Sequence, residues 1–137
     1  MPSHQARLRV RYAETDQMGV VYYANYLVWM EVGRVELFRS LGFAYSEMEK
    51  NDRVRLAVVD AHCRYRYPAR YDDEVIVETR VKEANTRAVK FAYAMRNAAT
   101  GRLLAEGETR HIFLGPDMRP GRLPRKYHAA FGIAKAE

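Results

Sequence analysis

Cysteine is almost absent: Cys63 is the only one in 137 residues, so no intrachain disulfide is available. A chain of this length buries a core without one, and the shortage fits a reducing compartment. The opening "MPSHQARLRVRY" has no apolar stretch of the signal-peptide kind, and no run approaches the length of a membrane span. The sequence therefore points to a cytoplasmic protein of one domain, 1–137. It also lacks a glycine-rich phosphate loop, zinc-ligand spacing, a nucleophile elbow, internal repeats and low-complexity segments. Negative charge is in deficit, with 17 acidic against 23 basic side chains and a net charge of +6. That balance suits an anionic partner. The cations are scattered, with no basic helix or lysine-rich tail, so nucleic acid is not the expected partner.

What is present is a change of period along the chain. "QARLRVRYA", residues 5–13, alternates Leu8, Val10 and Tyr12 with arginines and reads as a half-exposed strand. Residues 24–41 read as a helix with Ala24, Leu27, Val28, Val35 and Phe38 on its apolar face, stopped by Gly42. On this reading Glu31 falls near the middle of the buried face, where an acid needs a partner; Arg34 is the candidate, three residues on. "AYSEMEKN" adds a short helix. Strands follow in "VRLAVVDAHCRYRY", ended by Pro68, then in "DEVIVETRVKEA", "AVKFAYAMRNA" and "RLLAEGETRHIFLG", joined by the turns "NTR" and "ATG". The tail "PDMRPGRLPRKYHAAF" reads as a surface segment ending in a short helix. One strand, one long helix and about four antiparallel strands make an α+β layer, not a βαβ repeat.

Asp16 stands just ahead of Gly19 and the long helix. A helix start exposes N–H groups without intrahelical partners, its dipole favours negative charge, and a carbonyl oxygen becoming an oxyanion is stabilised there. Gly19 allows a positive φ or the close approach of a substrate. Two readings are open from these arguments: Asp16 caps the helix or an Asx-turn, or its carboxylate acts on a substrate.

Three blocks bear on that choice. "TDQMGVVYYANYLVWME", "PARYDDEV" and "DMRPGRLP" occur in order over nearly the whole chain. The first is similar to the D-x-x-G-x-V-Y-x-x-x-Y signature of hot-dog-fold thioesterases, and the set most resembles the 4-hydroxybenzoyl-CoA thioesterase family, including the acyl-CoA thioesterases of the Tol-Pal system. The resemblance implies a hot-dog fold, in which an antiparallel sheet of about five strands wraps one long helix. It implies hydrolysis of an acyl-CoA thioester without a cofactor or metal, by a homodimer or homotetramer whose sites form between subunits. On that basis Asp16 is the general base or nucleophile, and the Tyr23 backbone N–H, at the helix start, polarises the thioester carbonyl. Tol-Pal-type members usually carry His at the position of Tyr23, and hydroxybenzoyl-type members Tyr. Hydroxybenzoyl-type members also bind CoA phosphates with a basic run matching "NTR", of which only Arg87 is retained here.

Gly19 and Arg87 are therefore candidate substrate contacts, and Glu31 is a candidate support for the Asp16 loop, weighed against a purely structural buried pair. An acyl-carrier-protein thioesterase and a non-catalytic acyl-CoA-binding module are the rival functions. His62 beside Asp60, and the pair Asp72 and Asp73, read as solvated or structural charges. Cys63 reads as an inert core thiol. Of the tyrosines 65, 67, 71 and 93, strand alternation turns several toward the core rather than into a base-stacking platform.

Overall fold

The structure is a computed structural model describing residues 1–133; the last four residues of the expected domain lie outside the described residues. It contains strand β1 (Ser3–Arg9), helices α1 (Asn25–Ser40) and α2 (Tyr45–Asn51), and strands β2 (Arg55–Tyr65), β3 (Glu74–Ala84), β4 (Ala88–Asn97) and β5 (Leu103–Leu114). The strands form one antiparallel sheet in the order β1-β3-β4-β5-β2. Its concave face wraps α1, which is the α+β arrangement expected. No helix among the described residues is long and apolar enough to cross a membrane.

Alternation accounts for the middle of the sheet. Along β3 the residues Val75, Val77, Thr79 and Val81 are buried, and along β4 Val89, Phe91, Tyr93 and Met95. Each set points inward at period 2. The hairpins close as their sequences suggest. Asn85 Oδ1 accepts N–H bonds from Arg87 and Ala88, Asn97 Oδ1 those of Ala99 and Thr100, and Gly101 supplies φ 74°.

Four expectations need correction. The first strand ends at Arg9, and Tyr12–Glu14 form one tight helical turn that leaves Tyr12 exposed. Helix α1 has the expected span but buries a different face: Tyr26, Trp29, Met30, Gly33, Leu37 and Phe38 point inward, while Leu27, Val28, Glu31 and Val32 are exposed. Gly33 decides the rotation, because a Cβ there would sit 2.3 Å from Thr79 Oγ1; only the bare glycine surface lets α1 lie this close to β3. Strand β2 carries a bulge between Val58 and Asp60, which interrupts the period-2 alternation that a regular strand over "VRLAVVDAHCRYRY" would have. It is also the sheet edge, so Cys63 is only half-buried, and Tyr65, Tyr67 and Tyr71 are exposed while Tyr93 is buried. The tail returns along the surface to a single helical turn at Arg125–Tyr127, and Phe131 closes the core against Phe38 and Phe113.

Candidate active site

The chain between β1 and α1 is fixed before any ligand is considered. Thr15 and Val21 pair as an isolated antiparallel bridge. Inside it the Asp16 N–H donates to Val20 O at 2.9 Å, and the Gly19 N–H to Asp16 O at 3.0 Å. Gly19 has φ 80°, a conformation that costs an L side chain energy and glycine little. Asp16 Oδ1 accepts the Met18 N–H at 2.8 Å, an Asx-turn. Asp16 does not cap α1: the cap residue is Ala24, with no side-chain hydrogen bond to the helix.

Helix α1 then begins with the N–H of Asn25 on Tyr22 O, of Tyr26 on Tyr23 O and of Leu27 on Ala24 O. The N–H groups of Tyr23 and Ala24 have no acceptor among the described residues, as the start of a helix requires when no side chain caps it. Asp16 and Tyr23 line one cleft of about 310 Å³ with Met18, Val20, Tyr26 and Tyr65; Arg66, Tyr67 and Pro68 continue its wall. A residue with a carboxylate and a residue whose helix-start N–H is unpaired among the described residues therefore line one open, mostly apolar cleft. That pairing holds what acyl-group hydrolysis needs: a base or nucleophile, and a donor for the charge that develops on a carbonyl oxygen.

Tyrosines fasten this wall. Tyr26, a buried residue that lines the cleft, accepts the Ala69 N–H on its hydroxyl at 3.2 Å, and the Ala69 carbonyl accepts the Val21 N–H at 2.9 Å. Burial raises the Tyr26 hydroxyl above its ordinary pKa, with the Ala69 bond opposing. The Tyr65 hydroxyl crosses from the edge strand to donate to the Tyr23 carbonyl at 3.1 Å. Its pKa is pushed up to about 12, first by partial desolvation of the hydroxyl and then by the neighbouring Cys63. The Tyr65 ring meets those of Tyr26 and Tyr23 edge-on, at 5.2 and 6.4 Å. At the outer end the Arg102 guanidinium sits 3.8 Å from the centre of the Tyr67 ring.

The other residues singled out in the sequence lie elsewhere. Gly19 shapes the turn and does not line the cleft. Glu31 borders a separate small cleft with Arg34, Val35 and Tyr45. Arg34 turns toward the Tyr93 hydroxyl at 3.5 Å instead of pairing with Glu31. Strand β3 begins beside Val10, whose N–H bonds Asp73 O, and ends at the Arg87 turn. Within the chain that turn is thus about 30 Å from the Asp16 end of the sheet at about 3.3 Å per residue. His62 meets Glu108 at 3.6 Å rather than Asp60. Asp73 accepts the Arg70 N–H, and no group of three or more potential metal ligands occurs among the described residues.

One residue was not anticipated. Glu14 is 5% exposed, and its carboxylate accepts the Trp29 indole N–H at 2.9 Å and the Arg11 backbone N–H at 2.8 Å. The sequence offers one sign of it, an acid two places before Asp16; its indole partner is fifteen residues away and invisible to local pattern.

With this geometry in view, the comparisons identify the lineage. The sequence matches the thioesterase-like superfamily over residues 10–130. It is 47% identical over 132 residues to the Bacillus subtilis (strain 168) protein named "Putative acyl-CoA thioesterase YneP", covering 93% of this chain and 94% of that one. It is 32% identical to the acyl-CoA thioester hydrolase YbgC of Escherichia coli O157:H7, covering 90% and 92%. A crystal structure of DHNA-CoA thioesterase from Staphylococcus aureus superposes with a TM-score of 0.90 at 34% identity, covering 96% of this chain and 90% of that one. The chain belongs to the thioesterase-like superfamily and has the hot-dog fold of its thioesterases.

Proposed function

We propose that this protein hydrolyses the thioester of an acyl-CoA, with Asp16 as general base or nucleophile and the Tyr23 backbone N–H as the donor to the carbonyl oxygen. The observation that supports the reading is that Asp16 and Tyr23 both line one apolar cleft, and the CoA thioesters named for the relatives supply the substrate class. In the base form, Asp16 takes a proton from water while the water oxygen bonds to the thioester carbon. Charge collects on the carbonyl oxygen, facing the Tyr23 N–H. The carbon–sulfur bond then breaks and the proton passes to the departing CoA thiolate. Thiolate leaves readily, since a thiol has a pKa of about 8.5, and no strong acid is needed. In the nucleophile form, a carboxylate oxygen bonds to the same carbon, the carbon–sulfur bond breaks and CoA leaves as the thiolate; water then hydrolyses the anhydride to the free acid and the regenerated Asp16 carboxylate, and its proton passes to the thiolate.

Asp16→Asn tests the reading. Asparagine keeps an oxygen for the Met18 N–H but neither accepts the proton nor forms the anhydride. Thiol release from a panel of short, long and aromatic acyl-CoAs should fall by about a thousandfold or more, with the melting temperature unchanged; an Asp16→Asn protein at full rate refutes the assignment. Acyl-carrier-protein thioesters in the same panel separate the carrier-protein alternative, and binding without thiol release would favour the non-catalytic module.

The proposal includes a cytoplasmic homo-oligomer. The outer edge of β2, eleven residues long, pairs with no strand among the described residues, and Leu27, Val28 and Val32 of α1 are exposed. An edge of this length is covered in stable proteins. Since Arg87 lies at the far end of its own subunit, its proposed contact with CoA phosphates requires a second copy.

A further inference from the structure

We infer that Glu14 is a positioning residue for the proposed reaction, holding Asp16 and the Tyr23 N–H in register; the inference rests on the Asp16 reading above. Glu14 makes hydrogen bonds at both ends. Its two carboxylate oxygens face two different donors, Oε1 the Arg11 N–H at 2.8 Å and Oε2 the Trp29 Nε1–H at 2.9 Å. The Arg11 guanidinium adds a charge 3.6 Å from Oε2. Its main-chain oxygen accepts the Tyr22 N–H at 2.8 Å and the Asn25 Nδ2–H at 2.9 Å. The chain runs from Glu14 through Thr15 to Asp16, and Tyr22 is the neighbour of Tyr23. Both proposed reacting groups are thus within two residues of a bond made by Glu14.

The anchor is the core itself. Trp29 is 1% exposed and packs against Tyr26 with ring centres 4.8 Å apart, so Glu14 ties the loop to the buried face of α1 rather than to solvent. Two donors facing two oxygens demand a carboxylate. An amide in the same place satisfies one donor and turns its own NH₂ against the other, so that either the buried Trp29 N–H or the part-buried Arg11 N–H loses its acceptor. Thr15 and Tyr22 are then free to shift, and a displacement of about 1 Å between a catalytic group and the carbonyl it serves can cost about a hundredfold in rate.

The experiment compares Glu14→Gln, Asn25→Ala and Asp16→Asn with the parent protein, measuring kcat and KM separately, thermal melting, and the fluorescence of Trp29, the only tryptophan in the chain. Glu14→Gln should alter the Trp29 emission and lower kcat by about tenfold to a hundredfold. KM should stay within about threefold, because Tyr65, Tyr67 and Pro68, which wall the cleft, are not fastened by Glu14. An altered Trp29 emission with kcat unchanged overturns the inference, and so does a rate loss fully explained by the unfolded fraction at the assay temperature. If Glu14→Gln does not fold, Asn25→Ala decides. It removes one of the two bonds to the Glu14 main-chain oxygen, and the expected result is a kcat about three- to tenfold lower in a folded protein; parental kcat there overturns the inference. An inactive Asp16→Asn beside a fully active Glu14→Gln refutes only the positioning role, whereas an active Asp16→Asn refutes the reading on which it rests.

Discussion

The buried imidazole of His111 makes stability depend on pH in a window that the carboxylates leave clear. His111 is 0% exposed. Its Nε2 shares a 2.9 Å bond with Thr109 Oγ1, its Nδ1 has no partner among the described residues, and the Phe91 ring meets it edge-on at 5.4 Å. From α1, Arg34 faces the same pocket through Tyr93, whose hydroxyl lies 2.5 Å from Thr109 Oγ1. Burial, with Arg34 adding repulsion, pushes the His111 pKa down to about 3 from 6.5. The folded-state pKa lies below the unfolded one, so between them the unfolded chain binds a proton that the folded chain does not, and stability falls as pH falls. The slope approaches about 1.4 kcal/mol per pH unit below 6.5. From pH 7 to pH 5 this gives a loss of about 2 kcal/mol, or roughly 7 °C in melting temperature for a domain of this size. Glu106, Glu108 and Asp52 also have depressed pKa values, held down by Arg66, Lys82 and Lys126 respectively. Their contribution is lost only as pH falls below the ordinary carboxylate range, beneath this window. Thermal melts of the parent and His111→Gln at pH 7, 6 and 5 should therefore diverge, with the steeper fall in the parent. Equal slopes, or an NMR titration in which the folded His111 ring takes up its proton above pH 5, refute the argument.

Gly33→Ala sets a helix preference against a contact. Alanine favours a helix interior by about 1 kcal/mol, but its Cβ would lie 2.3 Å from Thr79 Oγ1 and 2.8 Å from Val77 Cγ1, both on fully buried side chains of β3. The overlap should win, with a net destabilisation of about 1–3 kcal/mol read as a lower urea midpoint at unchanged m-value; a higher midpoint contradicts the rotation of α1 described above. Sedimentation of the purified protein should return two or four times the chain mass, and a monomer at assay concentration removes the second copy from the proposed site.

How much of this was legible depended on whether the deciding contact was local. The hairpins were, because Asn85, Asn97 and Gly101 settle their turns within four residues and period 2 settles the faces of β3 and β4. The span of α1 was legible too, but not its rotation. Leu27, Val28 and Val32 are as apolar as the buried residues, and what selects the inward face is the approach of Gly33 to Thr79, 46 positions away. The placing of Glu31 and its pairing with Arg34 failed for that reason. In β2, one extra residue at the bulge moved the register without any mark in composition. At the site, Asp16 and Tyr23 stood out through the three ordered blocks and the unpaired start of a helix. Glu14 did not, since an acid in a polar loop gives no sign that a tryptophan will close over it.

The two readings of Asp16, cap and catalyst, are not exclusive in this geometry. A carboxylate has two oxygens, and the Asx-turn uses one. By accepting the Met18 N–H, Oδ1 restrains rotation about the Cβ–Cγ bond, and on the proposed reading Oδ2 is the oxygen that acts on water or the carbonyl carbon. The turn would thus orient the carboxylate that is proposed to act on the thioester. This separates the roles experimentally. Asp16→Asn keeps the turn and loses the chemistry, so its melting temperature should match the parent's. Asp16→Ala loses both, and its stability should fall further, by about 1 kcal/mol, the typical worth of such a side-chain bond to a backbone N–H. If both variants melt with the parent, the turn does not hold the carboxylate, and its aim must come from Glu14 and the Thr15–Val21 bridge alone.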